Sequence, residues 1–131
     1  MFRLLALTAL LIVPMQLHAQ ADFSGNRLQR DCHLALSSQD KGVVLTSDEW
    51  LSVGYCYGRI QGVMNTLTRW HQANGQSKRT ANGEACTPDD VTVHQATLVV
   101  MKYLDNNPDK LHLVGTDLIR AALKESYPCS E

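Results

Sequence analysis

The chain has 131 residues, 44% of them hydrophobic, and its formal net charge at pH 7 is −1. This length fits one domain with a modest core, and the near-neutral charge without a basic stripe argues against a nucleic-acid-binding protein. The four cysteines form no CxxC pair, which argues against a zinc site or a thiol-redox centre.

The N-terminal residues have the pattern of a secretory signal peptide. Arg3 precedes an apolar run over residues 4–13, and small residues follow that run. The run is shorter than the about 20 residues that a membrane-spanning helix needs. We therefore expect residues 1–21 to be removed by cleavage after Ala21, with cleavage after Ala19 as the alternative.

The remaining residues, 22–131, are expected to form one exported domain. Loss of Arg3 takes the formal charge from −1 to −2, and all four cysteines are retained. An even number of cysteines in a small exported chain is typical of disulfides. The compartment is therefore oxidising, and for a Gram-negative host it is the periplasm. No later segment resembles a membrane anchor.

Four helical patterns follow one another, and no segment has a convincing strand pattern. The first covers about residues 25–33. The second begins at Thr46, which has capping-box spacing to Glu49, and ends near His71. One stripe of this helix is predicted to be buried because its members recur with the helical period: Val53, Cys56, Ile60, Val63, Met64 and Leu67.

Three glycines spaced four residues apart, Gly54, Gly58 and Gly62, lie almost opposite that stripe. Each glycine in a helix interior costs about 1 kcal/mol relative to alanine, so the row needs a packing reason. One interpretation is a close crossing by another helix of the same chain. The other is a close contact with a second copy or a partner protein. A contact within a membrane is excluded because Arg59 and Gln61 lie inside the segment.

A polar segment, residues 72–85, separates the second and third helices and contains two Asn-Gly turn signals. We interpret it as an exposed loop. It is either a solvated connector or a recognition loop that contacts a partner through Gln76, Ser77, Lys78 and Arg79.

The third helix is predicted to begin with Thr87 as its cap and Pro88 in its first turn, and to end at residues 106–108. The fourth covers about residues 113–126, and Pro128 stops it. The fold class is therefore predicted to be all-α, a compact bundle of about four helices.

Four cysteines allow three disulfide connectivities. Cys86 lies just before the third helix and Cys129 just after the fourth, so an antiparallel hairpin brings them to the same end. Cys32, at the end of the first helix, is then left to pair with Cys56 on the second. We expect the disulfides Cys32–Cys56 and Cys86–Cys129 to staple the bundle.

The sequence carries no recognisable catalytic or metal-binding motif. The histidines after the signal peptide form neither an HExxH motif nor an i,i+4 pair. No G-x-S-x-G nucleophile motif occurs, and four disulfide-bonded cysteines leave no free thiol. We therefore expect a protein that is not an enzyme and that needs no cofactor or metal.

A set of spaced residues resembles a known family. These are Cys56-x-Gly58-x-Ile60-x-Gly62-Val63, Cys86-Thr87-Pro88, Val91-Thr92, Gln95, Val99-Val100, Lys102-Tyr103-Leu104, Pro108, Ala122-Leu123 and Pro128-Cys129. The pattern is similar to the Rap/Tai family of periplasmic immunity proteins of type VI secretion, from about Phe23 to Cys129. Two departures occur: Arg59 stands where an aromatic residue is usual, and Gly54 extends the glycine row by one.

The resemblance implies a small all-α domain that binds a cognate toxin delivered into the periplasm. In that family the toxin is typically a peptidoglycan amidase with a papain-like Cys-His site, and covering that site gives immunity. Family members often act as dimers, so a homodimer is also implied. The alternative function is a periplasmic acid-stress chaperone, with histidines as its pH trigger. Two disulfides on four helices argue against the partial unfolding that such a chaperone needs.

Overall fold

The computed structural model describes residues 22–39, 42–73 and 84–129, and most of these are helical. The elements are α1 (Gly25–Ser37), α2 (Ser47–Ala73), α3 (Val93–Asn106), a 3₁₀ turn (Pro108–Lys110) and α4 (Gly115–Ser126). The predicted all-α bundle of four helices is therefore confirmed. None of the helices in the described residues is long and apolar enough to cross a membrane.

Side-chain caps fix the starts of α1 and α2. The Ser24 hydroxyl accepts a hydrogen bond from the backbone N–H of Arg27 at 3.3 Å. At α2, the backbone N–H of Thr46 donates to Glu49 Oε2 at 2.7 Å, and the Glu49 N–H donates to Thr46 Oγ1 at 3.4 Å. These two reciprocal bonds satisfy donors that a helix start leaves free. They confirm the capping box that the sequence predicted.

The predicted start of α3 at Thr87 is wrong, because the helix begins after Thr92. Thr92 Oγ1 accepts from the Gln95 N–H at 3.2 Å, and Gln95 Oε1 accepts from the Thr92 N–H at 2.9 Å. This second capping box satisfies two free donors at once. The residues after Thr87 instead form a turn, in which the Val91 N–H donates to the Pro88 carbonyl at 3.3 Å.

The four helices enclose one core of apolar side chains. The predicted stripe of α2 lies in it, with five of its six members buried and Val63 half-buried. Residues from every helix contribute fully buried side chains, among them Leu28, Ile60, Val100, Leu104, Ile119 and Leu123. Helix α2 contacts α1, α3 and α4, and its buried side chains lie on this face.

Both predicted disulfides are present. Cys32 and Cys56 join α1 to the buried face of α2, with their Cα atoms 5.0 Å apart. Cys86 and Cys129 join the segment before α3 to the end of α4, with their Cα atoms 4.9 Å apart. Disulfides of this kind stabilise a small domain mainly by constraining its unfolded chain.

Backbone hydrogen bonds hold the start of α1 against the start of α4. The Gly25 N–H donates to the Leu113 carbonyl at 2.8 Å, and the Gly115 N–H donates to the Phe23 carbonyl at 2.7 Å. The approach is close: a Cβ at Gly25 would lie 2.9 Å from the carbonyl oxygen of Leu111. The first described residues of the chain are therefore fixed beside α4.

Candidate functional site

The residues predicted to form a recognition loop, Gln76, Ser77, Lys78 and Arg79, lie outside the described residues. Their role stays a prediction. On the described surface, two neighbouring features have the character of a binding site. They are the exposed face of α2 and a cleft between α2 and α4.

The glycine row lies on the exposed face of α2. Gly54, Gly58 and Gly62 are exposed, and a Cβ added to any of them would meet no atom within 4 Å among the described residues. The described helices pack instead against the opposite face, where Cys56 and Ile60 are fully buried. No described helix of the chain therefore crosses at these glycines, and contact with a partner stays a prediction.

Beside the glycines, two arginines and two aromatic rings form what we call the arginine–aromatic array: Phe23, Arg27, Tyr55 and Arg59. The Arg27 Cζ lies 5.9 Å from the centroid of the Tyr55 ring, and the Arg59 Cζ lies 5.4 Å from that of Phe23. Tyr55 and Arg59 are one turn apart on α2 and share a face. Both rings remain accessible, Phe23 at 61% and Tyr55 at 47%.

A buried carboxylate fixes the position of Arg27 in the array. Asp31 is 2% exposed, and its two oxygens accept from Arg27 Nε at 2.9 and 2.8 Å. The hydrogen bond and the charge of Asp31 raise the pKa of Arg27 above its ordinary value. Arg27 is therefore a fixed, permanently charged group that contacts both Asp31 and the Tyr55 ring.

The position of Arg59 in the array depends on the chain segment that precedes α1. Arg59 Nη2 donates to the Asp22 carbonyl at 3.4 Å, while Arg59 Nη1 is buried without a hydrogen-bond partner in the described residues. Hydrogen bonds from Ser24 lower the pKa of Asp22, with smaller contributions from the charges of Arg30 and Arg27. Three arginines thus share this face with one exposed carboxylate.

A cleft of about 720 Å³ continues from the array along α2 to α4. Gly58 and Gly62 form part of its wall, and Trp70 lines it further along α2. On the α4 side, Arg120 Nη2 donates to Glu84 Oε1 at 2.6 Å. The wall of the cleft therefore includes the glycine surface of α2, the exposed ring of Trp70 and the ion pair between Arg120 and Glu84.

Histidines and carboxylates are dispersed over the described residues. Within those ranges, no group of three or more histidine, cysteine, aspartate or glutamate side chains could hold a metal ion. His33 is exposed, with its Nε2 3.8 Å from Asp105 Oδ1. His94 is half-buried, and its Nδ1 has no hydrogen-bond partner in the described part of the chain.

The sequence identifies the glycine row but does not predict the array. Its one local signal is the i,i+4 spacing of Arg27 and Asp31, which is typical of an ion pair on a helix. The two stacked pairs join residues 28 and 36 positions apart in the sequence, namely Arg27 with Tyr55 and Phe23 with Arg59. Such contacts follow only from the packing of α1 against α2.

Comparison with known protein families matches residues 24–129 to the Rap1a immunity proteins. No curated protein and no solved structure gives a significant match to the chain. The matched region runs from the cap of α1 to the last cysteine, so it includes all four helices and both disulfides. Since this region is well over half of the sequence, the chain belongs to the Rap1a immunity protein family.

Proposed function

We propose that this chain is a periplasmic immunity protein that binds a cognate type VI secretion toxin, a peptidoglycan amidase, and occludes its active site. The observation that carries the proposal is the family match over residues 24–129. Members of an immunity family act by binding a toxin. The proposal adds the compartment, the class of toxin and the mode of inhibition.

The N-terminal sequence and the disulfides support the compartment. The pattern of residues 1–21 is that of a signal peptide, and disulfides persist in oxidising compartments such as the periplasm. A wall-degrading toxin acts in the same compartment. An inhibitor placed there protects the cell that makes it.

Occlusion requires a rigid surface and no chemistry from the inhibitor. Helix α2 is fixed from behind by the core and by the disulfide between Cys32 and Cys56. Side chains that are already ordered lose less conformational entropy on binding than mobile ones. The stacked arginines of the array meet this condition, and residues 76–79 remain the predicted group that enters the toxin cleft.

The test is a titration of an amidase with the mature, oxidised chain. The amidases tested are candidate type VI secretion toxins, and the signal is the release of peptide from peptidoglycan. We expect activity to fall linearly to zero at one immunity chain per toxin. Capture of many unfolded proteins at low pH, without inhibition of the amidase, would contradict the proposal and support the chaperone alternative.

A further inference from the structure

The array presents positive charge on a chain whose mature part is mildly acidic. Arg27, Arg30 and Arg59 belong to it or adjoin it, and the carboxylates beside them are Asp22 and Asp31. Asp31 is buried behind Arg27, so Asp22 is the exposed carboxylate that directly adjoins the three arginines. Farther along the cleft, Glu84 is paired with Arg120, and Asp117 also lines the wall. The positive charge is therefore confined to the array itself. A surface of this kind attracts a partner of negative charge.

The geometry of the stacked arginines favours carboxylates in particular. A guanidinium that lies over a ring keeps its N–H groups in its own plane, where a carboxylate accepts two of them at once. The Nε of Arg27 is occupied by Asp31. No described residue accepts a hydrogen bond from its two terminal nitrogens, so a fixed pair of donors remains for a partner.

The glycine row allows a partner to approach these donors closely. Gly54 and Gly58 flank Tyr55 on the exposed face, and Gly58 precedes Arg59 directly. Because these glycines have no side chains, the α2 backbone lies open beside the array. Tyrosine and arginine are also among the residues that carry most of the binding energy in protein interfaces.

A second copy of the chain fits this surface less well. A two-fold interface would bring the same patch of both copies together. Where the two-fold axis passes through the array, Arg30 and Arg59 of one copy approach the same arginines of the other, and like charges across an interface are unfavourable. The charge of the patch therefore favours a different protein.

We propose that the arginine–aromatic array and the adjoining glycines are the docking surface for a carboxylate-rich surface of the toxin. The inference rests on the proposed function and specifies the partner's chemistry. Aspartate and glutamate side chains of the toxin pair with the terminal nitrogens of Arg27 and with the exposed Arg30. The charge of Arg59, whose Nη1 is buried, adds to the attraction. A backbone segment of the toxin lies against Gly54 and Gly58.

The test measures binding of the inactivated candidate amidase from the titration above, by calorimetry at 50, 150 and 500 mM salt. The variant Arg30→Glu/Arg59→Glu reverses two charges and leaves the Arg27–Asp31 pair intact. Its matched control, Lys102→Glu/Lys124→Glu, reverses two exposed charges on α3 and α4. For Arg30→Glu/Arg59→Glu we expect at least a tenfold loss of affinity at 150 mM salt and a weaker dependence of affinity on salt. For the control variant we expect the affinity to change less than threefold.

A steric variant tests the same surface without changing charge. Gly58→Leu adds a side chain whose Cβ meets no described atom within 4 Å, and circular dichroism checks that the fold is kept. We expect it to weaken toxin binding at least tenfold, and Gly58→Ala to weaken it less.

Three results would overturn the inference. Equal effects of the two charge-reversal variants would show that the array does not face the toxin. Unchanged toxin binding together with loss of a homodimer in Arg30→Glu/Arg59→Glu would show that the face binds a second copy. Failure of the unmodified chain to bind the amidase would overturn the proposed function as well. The other two results overturn only the inference about the array, because in them the unmodified chain still binds the toxin.

Discussion

The two faces of α2 have opposite surroundings in the described chain. One face carries Cys56 and Ile60, both fully buried. The other carries Gly54, Gly58 and the 56% exposed Leu51. The faces share one backbone and differ only in which side chains meet neighbours. Helix α2 therefore separates two tasks: its inner face stabilises the fold, and its outer face is available to a partner.

This separation has a physical basis in the spacing of residues. Positions three or four apart lie on one face of a helix, so a substitution acts on one face at a time. Burial makes the inner face sensitive to any loss of volume. Exposure makes the outer face tolerant. The change in the free energy of unfolding on substitution of residues on each face tests whether the inner face alone stabilises the fold.

The largest effect is expected from removal of the disulfide on the inner face. Cys32→Ala/Cys56→Ala opens a link with a sequence separation of 24 residues, and loop-closure entropy predicts a loss of about 3–4 kcal/mol in the free energy of unfolding. Urea unfolding under non-reducing conditions measures it. An unchanged midpoint would show that the inner face does not depend on this link.

A truncation in the core gives the next effect. Ile60→Ala leaves a cavity at a fully buried position, and such changes cost about 3 kcal/mol. Leu51→Ala is the matched control on the outer face, and we expect it to change stability by less than about 0.5 kcal/mol. Equal losses in urea unfolding would show that the outer face is also part of the packed fold.

Substitution of a row glycine is expected to stabilise the fold. Gly58→Ala restores helix propensity and adds a Cβ that meets no described atom, so the free energy of unfolding rises by up to about 1 kcal/mol. Thermal unfolding measures the change. Gly25→Ala serves as the contrasting variant and is expected to destabilise, because its Cβ would lie 2.9 Å from the Leu111 carbonyl oxygen. A loss of stability in Gly58→Ala would mean that the row is covered.

The smallest effect concerns pH at the start of α2. A hydrogen bond from the Thr46 backbone N–H, with a second from its hydroxyl, lowers the pKa of Glu49 below 4.5. A lowered folded-state pKa means that this contribution is complete above pH 4.5 and is lost as the pH falls through the folded value. Hydrogen exchange of the first turn of α2 between pH 6 and 3 measures it. Glu49→Gln should remove the pH dependence, while Glu125→Gln, an exposed control on α4, should leave it.

The sequence predicts the inner face of α2 well, because its signals are local. Burial with a period of 3.6 residues and the Thr46–Glu49 capping box depend on residues within a few turns of one another. The disulfide pairing follows from the order of the helices, which brings Cys86 and Cys129 to one end of a hairpin. All of these predictions are confirmed by the structure.

The start of α3 and the outer face are less accessible to sequence reasoning. Thr87 and Thr92 both have the character of an N-cap, and only Thr92 has glutamine three residues later to complete a capping box. The array depends on the angle at which α1 packs against α2, and on the backbone bonds that place Phe23 beside α4. No residue pattern within one helix specifies those relations.

Among the described residues, none lies within 4 Å of a Cβ added at Gly54, Gly58 or Gly62, and this has a consequence for how the sequence of the chain changes over generations. A toxin escapes its inhibitor by altering the surface that the inhibitor contacts. The inhibitor follows by exchanging residues at positions where a new side chain leaves the fold intact, and the outer face of α2 offers such positions in a row. Under the proposed docking at this face, copies of one scaffold that differ only on the outer face of α2 bind different toxins.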